Sequence, residues 1–528
     1  MRRLAVLFAT TAAASTTPQN FHNLNESPNC TDVIVGGGWS GVYFAYRRAL
    51  ASSDPSSICL FEASERIGGR TYSVPAGALG HGFTLDVGAY RFSPDMHLPG
   101  DLILHDLKLP TACYEPSCPP AQSDFPPPFL FNYSAPLRRI VDDKTQLPAG
   151  YATAIQTMLD KLDSLKAKVF VNAALIDFVP STTTTSLTFH SGGAPPGSSN
   201  ADMKVVAKGV VMLNLPRNKL LMMRDSLVKA RLSPRTLKML ECVSFDAPAK
   251  LFHNISIGHA TGLTKAYIYY DDAWWYTKTN TTIGHYPKAF FTSLFTSYGI
   301  PISIHWNDGP VLCTREGEDA ATSSFKPSQA DLPLPPNTKC RGYLETYYAA
   351  TNETFYYGLS GAPKEPLGIV NAAPPYDHHN LKLAHEAVLE AIDPILQEKG
   401  LKPTEIPQPS QLVVGVWSRP GVVKHDEGYT APTKVYWAPS VSGSAGKACG
   451  VDGLTDDEYR TTVLQPFGKD VPIYLANNDY VCQDVRYFFG DWAEETLLQA
   501  ERALYRLKVP RPSWLNASYY AAKIVAKA

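Results

Sequence analysis

The residues best placed to do chemistry fall in the first hundred positions. Asp32-Val-Ile-Val-Gly-Gly-Gly-Trp-Ser-Gly41 carries G-x-G-x-x-G as Gly36, Gly38 and Gly41, between an apolar run and a helical one. Such a loop suits a pyrophosphate. The first glycine permits the tight turn, the second lets the anion approach the backbone, and the third lets helix and strand pack closely. The helix amino terminus then presents free N–H groups to the anion. Ile58-Cys-Leu-Phe-Glu62 reads as the next strand. It ends in a carboxylate about twenty residues past the last glycine, where ribose hydroxyls can be bound. Ile67-Gly-Gly-Arg70 follows at once and adds a guanidinium.

These groups need a parallel α/β unit to hold them, and the chain has room for more. Its 528 residues exceed one core, so two or more domains are expected. Hydrophobic residues make up 44% and charged ones 18%, as in an ordinary globular protein. The net charge of −1 gives no reason to expect nucleic acid or an anionic membrane as partner. Beyond the amino terminus no stretch is apolar and long enough to span a bilayer. A helix is expected over 152–166, a strand over 169–178, a long loop over 180–201 and a return strand over 205–213. A further amphipathic helix is expected over 381–399, stopped by Gly400. There are no internal repeats.

The stretch "VIVGGGWSG…LFEASERIGGRTYS" resembles the flavin-dependent amine oxidase family, which includes monoamine, polyamine and L-amino acid oxidases. The resemblance covers most of the chain and is weakest in the middle. It implies a Rossmann-like, discontinuous FAD-binding domain from 30–95, 165–235 and 465–510. A mixed α+β substrate domain would take 96–164 and 236–464, leaving 511–528 as a tail. It places Arg70 at the FAD diphosphate and the turn Gly88-Ala89-Tyr90-Arg91 against the flavin, with Leu175 at adenine. Lys265, in Leu263-Thr-Lys-Ala-Tyr-Ile, matches the lysine that holds a water at flavin N5, with Lys250 as the lower-ranked rival. Arg91 matches the arginine that takes a substrate α-carboxylate in the L-amino acid oxidase branch, which a planar guanidinium does bidentately. A structural ion pair is the competing role for Arg91. Tyr429 would wall an aromatic substrate cage. Gly428 stands where monoamine oxidases attach flavin through cysteine, so FAD should be non-covalent. Asp479 and Trp492 fall in the closing motif, which departs from the family at Asn477 and Asn478.

The implied activity is oxidation of an L-amino acid to imine and 2-oxo acid, with dioxygen as acceptor and hydrogen peroxide and ammonia as products. A primary amine or polyamine oxidase, an enzyme passing electrons elsewhere, and a flavin-loaded binding or defence protein are the alternatives. A homodimer is left open, and no metal is expected.

Arg2 and Arg3 precede an apolar run, and Ala12-Ala13-Ala14 could be cleaved, so residues 1–14 read as a signal peptide. Sequons at Asn25, Asn29, Asn132, Asn254, Asn280, Asn352 and Asn516 favour a secreted glycoprotein. An organelle transit peptide is the alternative. Of nine cysteines, Cys113 with Cys118 and Cys313 with Cys340 could pair, and the odd count leaves at least one over. Cys59, inside a predicted strand, is expected to be a buried thiol.

Overall fold

The computed structural model describes residues 18–24, 26–114, 136–191, 202–216, 219–220, 223, 232–241, 264–287, 294–318, 324–328, 331–349, 353–361, 366–372, 379–417, 456–477 and 493–528. Short apolar runs build its first layer. Strands Gln19–Asn20, Lys168–Val171, Ile58–Phe61, Asp32–Val35, Val211–Leu213 and Ile473–Leu475 lie in that order in a six-stranded, all-parallel sheet. A parallel sheet is covered on both faces, so its strands read as apolar runs rather than alternations. Ile34, Leu60 and Met212 face a core shared with helices Trp39–Ala51, Ala152–Ser164 and Ala493–Arg506. Val33, Val35, Cys59, Phe61 and Leu213 face a second core. There they meet an antiparallel sheet of Ala173–Val179, Thr185–Ser191 and Asp202–Ala207.

From Asp32–Val35 the chain moves to Ile58–Phe61 on one side, and Val211–Leu213 flanks it on the other. That reversal is a topological switch point, where such sheets open a crevice beyond the carboxyl ends of their strands. The crevice is braced from the far end of the sequence. Glu501 accepts hydrogen bonds from Tyr43 Oη at 2.5 Å and Arg47 Nε at 2.8 Å, all three residues being buried.

The second body is a mixed-length antiparallel sheet. Its order is His285–Tyr286, Ile304–His305, Lys339–Ala349, Thr264–Tyr270, Gln411–Val416 and Leu367–Asn371, with Val311–Thr314 also paired to Lys339–Ala349. Helix His379–Lys399 buries Leu381, Val388 and Ile392 in the same core as Ile268 and Leu412 of the sheet. Thr264–Tyr270 is central and buried along its whole length.

Four expectations are corrected. The run 180–201 is not one long loop, because Thr185–Ser191 forms the middle strand of the three-stranded antiparallel sheet. The run 169–178 is not one strand: it breaks at Asn172, whose φ is 57°, and passes from one sheet to another. The run 205–213 divides in the same way at Gly209. There an added Cβ would sit 2.4 Å from Asp32 Oδ1, and Val210 N donates to that carboxylate at 2.9 Å. Cys59 is not a thiol but is bonded to Cys30. Cys30 lies just ahead of the neighbouring strand, which brings the two Cα atoms to 5.8 Å, within disulfide range. Cys313 and Cys340 do pair, as opposed residues of adjacent strands. Cys113 is also disulfide-bonded, and Cys118 lies outside the described residues.

Candidate cofactor and active site

The glycine loop has the conformation its sequence requires. Gly36 has φ +97°, and a Cβ there would meet Asn214 O at 2.8 Å. A Cβ on Gly41 would lie 1.8 Å from Gly36 O, so only glycine lets the helix leave the strand. Gly38 is different. A Cβ there would meet nothing nearer than Gly69 Cα at 4.0 Å. Gly38 begins helix Trp39–Ala51, and no side chain caps that end. An open space therefore faces uncapped N–H groups, a cradle suited to a pyrophosphate.

Glu62 stands beside it. Its Oε2 accepts from Gly37 N at 2.7 Å, and its Oε1 accepts from Ser64 N and Ser64 Oγ, both at 2.9 Å. A carboxylate has about four acceptor positions, so roughly one is left for a ribose hydroxyl. Gly68 N donates to Gly37 O at 2.8 Å, which ties the Gly-Gly-Arg turn to the glycine loop. Arg70 is half-buried there. Sequence reading missed Arg66. Its guanidinium donates to Gly69 O at 2.6 Å and Thr71 O at 3.1 Å and lies 4.2 Å over the Tyr72 ring, holding the turn's shape. Leu175 is half-buried in the second sheet, against the same core as Phe61.

The Rossmann-like loop and the turn 86–91 form one unit. Ala89 N donates to Arg70 O at 3.1 Å. A Cβ on Gly88 would sit 2.0 Å from Arg70 O and 3.0 Å from Trp417, whose Nε1 donates to Val87 O at 2.7 Å. Gly88 is thus demanded by packing within the chain. Asp86 is the hinge of the turn. Its Oδ1 accepts from Ser73 Oγ at 2.5 Å and Tyr151 N at 3.0 Å. Burial outweighs these bonds and pushes its carboxyl up to about 6.

The antiparallel sheet delivers Lys265 to this turn. Its side chain is wholly buried, its Nζ donates to Asp86 O at 3.2 Å, and it lies 3.4 Å over the Tyr90 ring. Tyr267, two residues on and so on the same face, donates to the same carbonyl at 3.0 Å. Burial lowers the Lys265 ammonium to about 8. Arg91 is 8% exposed, 4.6 Å over the Tyr90 ring and 4.7 Å from that of Tyr114. Arg139 lies 4.6 Å from the Tyr114 ring. Burial opposes the Arg91 charge, but Tyr90, Tyr114, Tyr348 and Asp308 more than offset it.

Sequence reading also missed Asp308, Glu345 and His305, whose side-chain polar atoms lie within 4.8 Å of one another. No short motif marks them, because two separate segments, 304–308 and the strand Lys339–Ala349, supply them. The structure therefore gathers Gly36, Gly38, Gly41, Glu62 and Arg70 at one place. It gathers Gly88, Ala89, Tyr90, Arg91 and Lys265 at an adjoining one. Tyr429, Asp479, Trp492, Lys250 and Gly428 lie outside the described residues. Asn477 is described, and its N donates to Gln499 Oε1 at 3.0 Å.

Residues 34–98 match the family model of the NAD(P)-binding Rossmann-like domain. The amino-terminal unit is a Rossmann-like dinucleotide-binding domain. No curated protein matches the chain. Among solved structures, wild-type putrescine oxidase bound to putrescine is similar at 12% identity and a TM-score of 0.48, covering 91% of this chain and 99% of that one. A triple mutant of putrescine oxidase from a redesign of its cofactor binding is similar at 14% identity and a TM-score of 0.47, covering 91% and 98%. The Rossmann-like domain thus stands on the matched segment and on its own sheet order, glycine geometry and switch point.

Proposed function

We propose that the protein is a secreted flavoprotein that binds FAD without a covalent bond and oxidises an amino group, with an L-amino acid as leading substrate. The observation that carries this reading is Lys265. A wholly buried lysine ends at the turn that is knit to the Gly-Gly-Arg loop, beside a buried arginine. Buried ionisable groups in a cleft are where function is expected. The residues fit the cofactor: Gly38 leaves the cradle open, Glu62 keeps an acceptor, and Arg70 stands at the turn beside it.

Bound FAD would supply the hydride acceptor and the route to dioxygen. The chain's own residues do the rest. Lys265, near its neutral form at about 8, can hold a water against the cleft or take a proton at Nζ. Arg91, kept charged between two tyrosine rings, can take an α-carboxylate in two parallel hydrogen bonds. Tyr90, Tyr348 and Tyr429 would exclude water around the carbon that loses hydride. The segments 30–95, 165–235 and 465–510 would make up the cofactor domain, with Leu175 toward adenine and Asp479 and Trp492 closing the flavin end.

A primary amine or polyamine substrate is the second reading, favoured by the buried Asp308 carboxyl near Lys265. One experiment separates the two. Acid precipitation should release FAD into the supernatant, and a peroxide assay should show turnover with amino acids. Arg91→Ala should lower kcat/KM for an L-amino acid by roughly two to three powers of ten, from about 2–5 kcal/mol for a desolvated charge pair. It should leave the decarboxylated amine's rate unchanged. Equal losses at full flavin occupancy would refute the carboxylate role.

A further inference from the structure

We propose that Glu345 is a positioning residue for Lys265. With Asp308 fixed beside it as the anion, Glu345 carries a proton at neutral pH, and so gives the Lys265 amine no counter-charge. The inference rests on the reading that Lys265 works at the cofactor, but its first test does not need turnover. The geometry carries it. Glu345 is wholly buried on strand Lys339–Ala349, opposite Tyr267 in the ladder and so on the Lys265 face. Neither of its carboxyl oxygens has a hydrogen-bond partner of good geometry, and Asp308 Oδ2 has none either. Two buried carboxyl groups within hydrogen-bond reach of each other cannot both stay ionised in a dry site. One proton turns the opposition of acceptors into a donor and an acceptor.

The surroundings decide which carboxyl holds that proton. From the hairpin Thr111–Cys113 and Arg138–Ile140, Tyr114 Oη donates to Asp308 Oδ1 and Arg139 faces the same carboxylate. From the turn, Arg91 does the same. From strand Ile304–His305, His305 Nδ1 is 3.7 Å from Asp308 Oδ2, and the His285 ring stacks on that of His305 at 5.4 Å. Lys265 and Tyr267 complete the set facing Glu345 from the central strand, with Asp86 O, Tyr348 and Tyr90 about the lysine. Cations and donors gather on Asp308, so it keeps the charge. In agreement, His305, Arg91 and Arg139 hold the Asp308 carboxyl below its ordinary range despite burial. Burial and the Asp308 charge push that of Glu345 well above its own.

The consequence is that Lys265 loses no Glu345 salt bridge when it deprotonates: its one excess proton leaves as an Nζ–H bond breaks and an O–H bond forms on a solvent water, while the O–H bond of Glu345 stays intact. Asp308 keeps the Glu345 proton in place, because an ionised Glu345 would face a like charge in a dry site.

Infrared difference spectroscopy at about pH 7.5 reads the proton directly. Wild-type protein should show the C=O stretch of a buried protonated carboxyl, slow to shift in deuterium oxide, and Glu345→Gln should lack it. A neutral glutamine imitates the acid form, so Glu345→Gln should also leave the pH profile in place. Absence of the band in wild type would overturn the proposal. So would its persistence in Glu345→Gln, an acid displacement of that variant's profile by a full pH unit, or a stoichiometric divalent metal at His305, Asp308 and Glu345. Lack of turnover on every amine and amino acid, with the band present, would instead refute the proposed function.

Discussion

Lys265→Met should make the protein more stable while it slows turnover. An ordinary lysine titrates near 10.5, and Lys265 is lowered to about 8 by burial. A gap of about 2.5 at about 1.36 kcal/mol each corresponds to roughly 3 kcal/mol. The sign follows from proton counts. Below about 8 both folded and unfolded chains hold the proton, and the folded state carries the full cost of a buried charge. Between about 8 and 10.5 the unfolded chain holds more protons, so stability rises with pH and the cost fades. Methionine fills similar volume without the charge, and Asp86 O keeps Tyr267 as donor at 3.0 Å. Allowing for the lost contact with the Tyr90 ring, a gain of about 1–3 kcal/mol is expected at pH 7, vanishing by about pH 10.5. Denaturant unfolding of both proteins across that range measures it. A loss of stability at pH 7, or a difference that does not change with pH, would refute the reasoning.

Other outcomes follow from single features. Gly41→Ala, whose Cβ would lie 1.8 Å from Gly36 O, should abolish folded protein, whereas Gly38→Ala has open space, so it should fold but lose FAD; circular dichroism and flavin absorbance distinguish the two. Replacing Cys30 and Cys59 together by serine should cost about 3.6 kcal/mol in unfolding experiments, from a sequence separation of 29 residues. Enzymatic deglycosylation of native protein should lower its mass, and its amino terminus should lie near Ser15; an intact Met1 and unchanged mass would favour an intracellular protein.

The sequence showed the cofactor cradle well because its chemistry is local. Gly36 supplies the positive φ, Gly38 the open space and Gly41 the close approach to Gly36 O, all within six residues, and Glu62 follows on the neighbouring strand. Lys265 was legible for another reason: a charge inside an apolar run must be met by something. Asp308, Glu345 and His305 were not legible, since His305 and Asp308 are ordinary in their segment and only strand pairing brings Glu345 to them. The strand divisions at Asn172 and Gly209 escaped because apolar alternation continues across both, while the partner sheet changes. Cys59 was misread because its partner lies 29 residues away, outside any local pattern.

The last strand of the parallel sheet has a consequence for biosynthesis. Ile473–Leu475 and the helix bearing Glu501 are made after nearly all the rest of the chain. At about 5–20 residues per second, roughly 20–90 s separate translation of Asp32–Val35 from that of its distant support. Throughout that interval Tyr43 and Arg47 lack the carboxylate that satisfies them in the finished fold. The nascent amino-terminal half must wait with an open apolar face, and an amino-terminal fragment should not fold. A truncation near the carboxyl terminus should therefore be felt at the opposite end of the gene product, where the glycine loop loses its support.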